Sequence, residues 1–411
     1  DYANGGWDWL NGGQDFLWAS EKDGWRHVYR VNRSGETERL LTRGSYDVMD
    51  IAAIDEPNGY LYFHASPDNA TQKYLFRTRL DGKGNLERVT PLDQSGTHEY
   101  NLSPGALYAQ HNFSSHQVRP VTELIAVKDH QFISGDPVKT AVQQSRNLRS
   151  NVEFFTLLTE EGISMDAWRV LPENFDPLKK YPLIFYVYTE PWGQNVKDVY
   201  GVGKNFLYQG DLSKDGYIYV SIDNRGTPVP KGRAWRKSIY RKIGQVNIRD
   251  QALAARQILQ WPFVDSSRIA VWGWSGGGSA TLNLLFQYPE IYKTGIAIAA
   301  VANQQTYDNI YQERYMGLPQ ENRDDFRKGS PLTYARNLKG NLLYIHGSGD
   351  DNVHYNNSEM LVNELIRSNK IFQLMVYPNR THSIAEGQGT SLHLANLYTQ
   401  YLRTHCPPGG R

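Results

Sequence analysis

Up to about Ile133 the chain reads as short strands. Brief runs mix apolar and polar positions with a period near two, as in FLWAS (16–20), HVYRV (27–31), YLYFHAS (60–66) and KYLFRTRL (73–80), and Gly, Asp and Asn turns separate them. No long helical period interrupts them. HVYRVNRSG at 27–35 returns as YLFRTRLDG at 74–82, and ERLLT at 38–42 as LERVT at 86–90, an offset near 47 residues. A repeat of that length made of short strands is the size of one four-stranded propeller blade. The competing reading is two unrelated hairpins that share a turn type. About three blades fit in this segment, whereas a closed propeller takes typically four to eight, so the segment is expected to stay open.

From Asn151 the texture changes. VEFFTLLTEEGISMDAWRVLP reads as a hairpin, followed by PLIFYVY (182–188), YIYVSID (217–223), RIAVWGW (268–274), TGIAIAA (294–300), NLLYIHG (341–347) and FQLMVYP (372–378). Such continuous apolar runs belong to a sheet covered on both faces. Between them VNIRDQALAARQILQ (246–260), ATLNLLFQY (280–288), NSEMLVNELIRS (357–368) and LHLANLYTQYLR (392–403) carry helical spacing. This alternation predicts a doubly wound α/β domain, with its ligand beyond the carboxyl ends of the strands. The expected division is a β-rich partial propeller at 1–135 and an α/β domain at 136–411. The tail CPPGGR after His405 is expected to fray.

Composition narrows the partners. Among 411 residues, 44 Lys and Arg face 43 Asp and Glu for a net charge of +1. With no long run of one sign, nucleic acid and anionic membrane are disfavoured as main partners, which leaves small molecules or peptides. The single cysteine, Cys406, rules out an intrachain disulfide and a cysteine-cluster metal site. No cofactor and no metal are expected. No run approaches 18 apolar residues, and the opening DYANGGWDWL lacks the basic start and apolar core of a signal peptide, so no membrane segment is expected in this chain.

The sharpest chemical signal is Gly273-Trp274-Ser275-Gly276-Gly277, which follows strand RIAVWGW directly and opens a helix. That is the strand-turn-helix setting in which G-x-S-x-G exposes a serine hydroxyl. A glycine-rich phosphate turn is the rival, but it wants an acidic residue about 20 positions on, and TGIAIAAVAN supplies none. Serine is a weak nucleophile by itself and needs a histidine base and a carboxylate. After NLLYIHG come Asp350 and Asp351, and after FQLMVYP comes His382. The order Ser, Asp, His is that of α/β-hydrolases. Spacing does not separate Asp350 from Asp351, and His346 and His354 are weaker candidates for the base.

At these residues the chain resembles the prolyl oligopeptidase family of serine peptidases, in its dipeptidyl peptidase IV branch. GWSGGG is similar to that branch's GWSYGG, HGSGDDNVHYNNSEML to its HGTADDNVH segment, and YQERYMGLP is nearly the stretch that follows its central strand. The likeness runs through the whole chain, and it implies an α/β-hydrolase domain preceded by an incomplete β-propeller. Residue by residue it implies Ser275 as nucleophile, Asp350 rather than Asp351 as acid, and His382 as base. It implies the Tyr188 hydroxyl and the Gly276 amide as oxyanion donors. Val301, Tyr307, Tyr311 and Val353 would wall a proline-sized apolar pocket, and Asn352 would hold a substrate carbonyl. Without the resemblance, tyrosines four apart such as Tyr307 and Tyr311 read more often as core.

The implied activity is release of short peptides from the N-terminus after Pro or Ala, through an acyl-enzyme. The alternative is a carboxylesterase acting on aryl or feruloyl-type esters with the same triad. The resemblance further implies a peptide or ester substrate, a periplasmic or secreted location, and association either as a homodimer or with a missing N-terminal propeller fragment. The acidic pair that captures a substrate amine in that branch lies earlier in the propeller than anything matched, so the chain is expected to be truncated or one piece of a cleaved enzyme. Three departures are visible: the glycines after the oxyanion tyrosine are replaced in Tyr188-Thr189-Glu190-Pro191-Trp192, the aromatic after the nucleophile is Gly276, and a pocket tryptophan is Gln304. The cleft is therefore expected to be reshaped.

Overall fold

The alternating runs of the first third fold into three antiparallel sheets of four strands. The computed structural model describes residues 7–146 and 151–411; residues 1–6, at the start of DYANGGWDWL, and 147–150 lie outside it. The chain divides into two units, one of Asp1–Ser150 with Lys197–Val202 and Val229–Arg236, the other of the remainder.

In the first unit β1 (Asp8–Leu10), β2 (Asp15–Ser20), β3 (His27–Asn32) and β4 (Glu38–Leu40) form one sheet. The second is β5 (Val48–Asp55), β6 (Tyr60–Ala65), β7 (Tyr74–Arg79) and β8 (Glu87–Arg88), and the third is β9 (Thr97–Leu102), β10 (Tyr108–Ser114), β11 (Val121–Ala126) and β12 (Gln131–Gly135). Helix α1 (Val138–Ser145) follows. The sequence repeat marks equivalent strands, because HVYRVN is β3 and YLFRTR is β7, the third strand of successive sheets. β6 shows why YLYFHAS has little polar alternation. Leu61, Phe63 and Ala65 pack with Leu17 and Val28 of the first sheet, while Tyr62 packs with Tyr100 and Ile125 of the third. A strand of period two thus buries both faces. Three open, blade-like sheets make this an incomplete propeller.

The second unit carries one eight-stranded sheet. Its strands are β13 (Val152–Leu158), β14 (Ser164–Val170), β15 (Tyr181–Tyr186), β16 (Ile218–Ile222), β17 (Val264–Trp274), β18 (Thr294–Ile298), β19 (Asn341–Gly347) and β20 (Gln373–Tyr377). The order is β13-β14-β16-β15-β17-β18-β19-β20, antiparallel from β13 to β16 and parallel from β16 to β20. Helix α2 (Gly232–Lys237) falls in the first unit but for Lys237, and α3 (Val246–Ile258), α4 (Gly276–Gln287), α5 (Asn309–Met316), α6 (Arg323–Gly329), α7 (Asn356–Arg367) and α8 (Thr390–His405) of the second unit lie between and after its strands. This is an α/β-hydrolase sheet. From β15 the chain steps to β16 on one side and then to β17 on the other, so the strand order reverses between β15 and β17. A crevice opens at the carboxyl ends of two strands whose connections leave in opposite directions.

Two expectations are corrected. β20 is not covered on both faces; it is the sheet edge, and Gln373 and Leu374 are exposed. The tail does not fray. Cys406 is fully buried, the Arg268 guanidinium donates to the Pro407 and Gly409 carbonyls at 2.9 Å each, and Lys180 and Arg411 exchange backbone hydrogen bonds. A buried arginine needs acceptors, and these carbonyls satisfy it. Among the described residues no helix is long and apolar enough to cross a membrane.

Candidate active site

β17 ends in a sharp turn at Ser275, where φ is 59° and ψ −121°. A non-glycine residue held there costs on the order of 1–3 kcal/mol and persists only where its surroundings fix it. Here they do, because the Ser275 amide donates to the Ile298 carbonyl at the end of β18, 2.8 Å away, and its carbonyl accepts from the Ser279 amide at 3.0 Å. Space imposes the second glycine after it, since a Cβ on Gly277 would stand 2.2 Å from the Val187 carbonyl oxygen. Ser275 caps α4, and the Gly276 amide lies in the first turn, where amides lack intrahelical partners and the helix dipole favours negative charge.

Tyr188 follows β15, the strand beside β17. The next residue, Thr189, has φ 64°, a conformation that a β-branched side chain resists. Asn224 Nδ2 donates to its carbonyl at 3.1 Å and Asn247 Nδ2 to its hydroxyl at 3.0 Å, so buried amides hold the turn that glycine would make freely.

The carboxylate and the base come from the loops after β19 and β20. Asp350 is buried, while Asp351 is exposed. Asp350 Oδ1 accepts from the amides of Asn352 and Val353 at 2.9 and 2.8 Å. Oδ2 lies 2.8 Å from His382 Nδ1 and 3.0 Å from His346 Nε2. Burial alone would raise this carboxyl, but the hydrogen bonds from His346, His382 and the Asn352 amide outweigh it and hold Asp350 well below the usual carboxylate range. An ionised carboxylate at Nδ1 fixes the His382 tautomer with the hydrogen there, which leaves Nε2 as a lone pair. Trp274 Nε1 donates to the His382 carbonyl at 3.0 Å and ties this loop to the end of β17.

A cleft with about 340 Å³ of free space, part of it open to solvent, lies at Ser275. Ser275, Gly276, Tyr188, Val301, Tyr307 and Tyr311 line it. The Tyr307 and Tyr311 rings meet edge to face at 5.4 Å, and the Tyr307 hydroxyl donates to Asn352 Oδ1 at 2.9 Å. The Val353 side chain is buried, and its backbone amide and carbonyl hold Asp350 and His346. His346, a weaker candidate for the base on the sequence, is the second imidazole on the acid. Its Nε2 faces the Asp350 carboxylate and the Val353 carbonyl, both acceptors, so it carries the hydrogen and orients the acid.

The residue that sequence reasoning missed is Glu190, which also lines the cavity. A Cβ on Gly276 would lie 2.2 Å from Glu190 Cγ, so the carboxyl occupies the space left by the missing aromatic side chain. The signal was present as two departures, an acid at 190 and a glycine at 276, that make sense only together. The Tyr311 hydroxyl donates to Glu190 Oε2. Burial pushes the Glu190 carboxyl up to about 7, opposed by the Tyr311 bond. The cavity is therefore more polar than the apolar pocket expected from the sequence.

This shift makes a stability prediction. Folded Glu190 keeps its proton to about pH 7 against an ordinary value of 4.5, so in that window the folded state binds more protons and stability falls as pH rises. The effect is on the order of 3 kcal/mol between pH 4 and 8. Glu190→Gln is expected to flatten this part of the dependence when denaturant midpoints are compared across the range. An identical pH dependence in the variant would assign the ionisation elsewhere.

Residues 208–406 match the profile of the prolyl oligopeptidase family, and residues 7–120 that of the dipeptidyl peptidase IV (DPP IV) N-terminal region. The chain is 32% identical over 396 residues to a probable dipeptidyl-aminopeptidase B of Talaromyces marneffei, covering 93% of this chain and 42% of that protein. It is 30% identical over 371 residues to dipeptidyl peptidase 4 of Arthroderma otae, covering 87% and 46%. The crystal structure of Porphyromonas gingivalis dipeptidyl peptidase 4 superposes with a TM-score of 0.85 at 31% identity, over 97% of this chain and 55% of that one. The chain thus spans about half the length of the relatives it matches.

Proposed function

The chain belongs to the prolyl oligopeptidase family, in its dipeptidyl peptidase IV branch, and from that premise we propose that it is a serine peptidase that releases dipeptides from peptide N-termini, after Pro or Ala. The observation that carries the reading is the bond between buried Asp350 and His382, in a loop tied to the strand that ends at the strained Ser275 turn.

In this mechanism His382 Nε2 takes the Ser275 hydroxyl proton as Oγ attacks the substrate carbonyl. The resulting oxyanion receives hydrogen bonds from the Gly276 amide and the Tyr188 hydroxyl, donors fixed before the charge develops. His382 then passes its proton to the departing amine, and an acyl-enzyme remains. Water repeats the sequence and frees the dipeptide. Tyr188 suits a donor role, because burial and the nearby Glu190 charge push its phenol up and keep the proton on it. Tyr307 and Tyr311 would flank the residue before the scissile bond, Val301 and Val353 would complete that subsite, and Asn352 would hold a substrate carbonyl.

Carried over from the family, a periplasmic or secreted location and association as a homodimer or with further propeller blades belong to the same proposal. The test compares an alanyl-prolyl anilide with an aryl ester. Cleavage of the anilide with release of intact dipeptide is expected. Fast ester turnover with no anilide cleavage would overturn the peptidase reading and leave an esterase.

A further inference from the structure

The third sheet of the first unit encloses a second cluster of titratable side chains, far from any role in the chemistry above. His98 on β9, His111 on β10 and Glu123 on β11 are buried, and His130 sits in the turn between β11 and β12. One possible ligand atom from each of His111, Glu123 and His130 lies within 4.8 Å of the other two.

Hydrogen bonding fixes where the lone pairs point. His98 Nε2 is 2.9 Å from the Gln94 carbonyl, which only accepts, so this nitrogen carries a hydrogen. His98 Nδ1 faces His111 Nε2 at 2.8 Å. A second hydrogen on His98 would create a wholly buried cation against a carbonyl and an imidazole, a costly arrangement. His98 Nδ1 therefore accepts, and His111 Nε2 donates. With that hydrogen placed, a neutral His111 turns its Nδ1 lone pair toward Glu123 Oε1 at 2.9 Å. Two lone pairs so close need either a hydrogen or a metal ion held between them. Glu123 is anchored from behind, since its Oε2 accepts from the Val138 amide at 2.9 Å. An imidazole whose outer N–H is held by an acceptor is also how ligating histidines are oriented.

Two further features lie beside the cluster. His130, at the end of the turn, has φ 54°, a left-handed conformation that histidine adopts more readily than most residues. His64 is 2% exposed and its Nε2 has no hydrogen-bond partner. Its ring lies 6.0 Å from that of Tyr100, which stacks on His111 at 4.2 Å. A neighbouring group, Asp50, His64 and Glu99, has suitable spacing too, but there the Lys73 ammonium already sits 2.7 Å from both carboxylates.

We propose that His111, Glu123 and His130 form a structural zinc site. Two imidazoles and one carboxylate suit zinc better than calcium or magnesium, which prefer oxygen alone. The ion would join β10, β11 and the turn into β12, and so cross-link the last sheet of the open propeller. It is independent of Ser275 chemistry.

The test is metal retention by the untagged full chain. After incubation with zinc chloride and removal of free metal, one zinc per chain is expected by elemental analysis, with a melting temperature that falls on chelation while labelling of Ser275 is unchanged. Glu123→Gln, which can still accept from the Val138 amide, and His111→Gln should each weaken retention on the order of 100-fold or more. Should either variant fail to fold, nitrogen-15 NMR of the wild-type imidazoles decides: Nδ1 of His111 is expected without hydrogen and shifted by metal. A proton on both His111 nitrogens in zinc-treated protein would mean that the cation is a proton and would overturn the site, as would equal zinc retention by both variants.

Discussion

Replacing Ser275 with Ala is expected to lower turnover on a peptide substrate by on the order of 10⁶-fold, with the melting temperature little changed. The substitution removes one hydroxyl and leaves the turn intact, because Ala keeps the amide that donates to Ile298 and the carbonyl that accepts from Ser279. It also leaves the Gly276 amide and Tyr188 in the cavity, so a residual rate above the uncatalysed reaction is expected from binding and oxyanion stabilisation. Steady-state kinetics on the anilide check this. A loss below tenfold would remove Ser275 from the chemistry.

Asp350 and His382 are expected to behave as one unit with Ser275. Asp350→Asn should cost about 10⁴-fold in turnover, because an amide at that position can no longer hold hydrogen on His382 Nδ1. His382→Ala should cost about as much as losing the serine, and the double variant no more than the worse single one. The four bonds accepted by Asp350, from His346, His382 and two amides, explain why an amide cannot replace it quietly. Asp351→Asn serves as the comparison, since Asp351 is exposed and changes little in this account. Multiplying losses in the double variant, or a larger loss at Asp351 than at Asp350, would break the assignment.

What the sequence made legible was local. The turn at Ser275 is written in glycines on either side of it and in an apolar strand before it, all within a few residues. The three sheets were readable because β3 and β7 repeat a pattern. Choosing between Asp350 and Asp351 by spacing failed, because burial and the bond to His382, 32 residues on, separate them. Glu190 stayed hidden for a similar reason: its environment depends on the absence of a side chain at Gly276, far away in the chain. The docked tail depends on Arg268, more than a hundred residues before it. Pairings of this kind are set by the folded sheet, and no local period records them. The exposure of β20 likewise follows from its place at the edge of the sheet, which its apolar sequence does not reveal.

The most direct test of the central claim is peptide mapping after treatment with a fluorophosphonate. This reagent forms a stable bond only with a serine whose proton a neighbouring base removes and whose adduct oxygen sits among hydrogen-bond donors. Stoichiometric modification of Ser275, at no other serine, and its loss in His382→Ala are expected. Modification of a different residue, or equal labelling of Ser275 without His382, would contradict the claim.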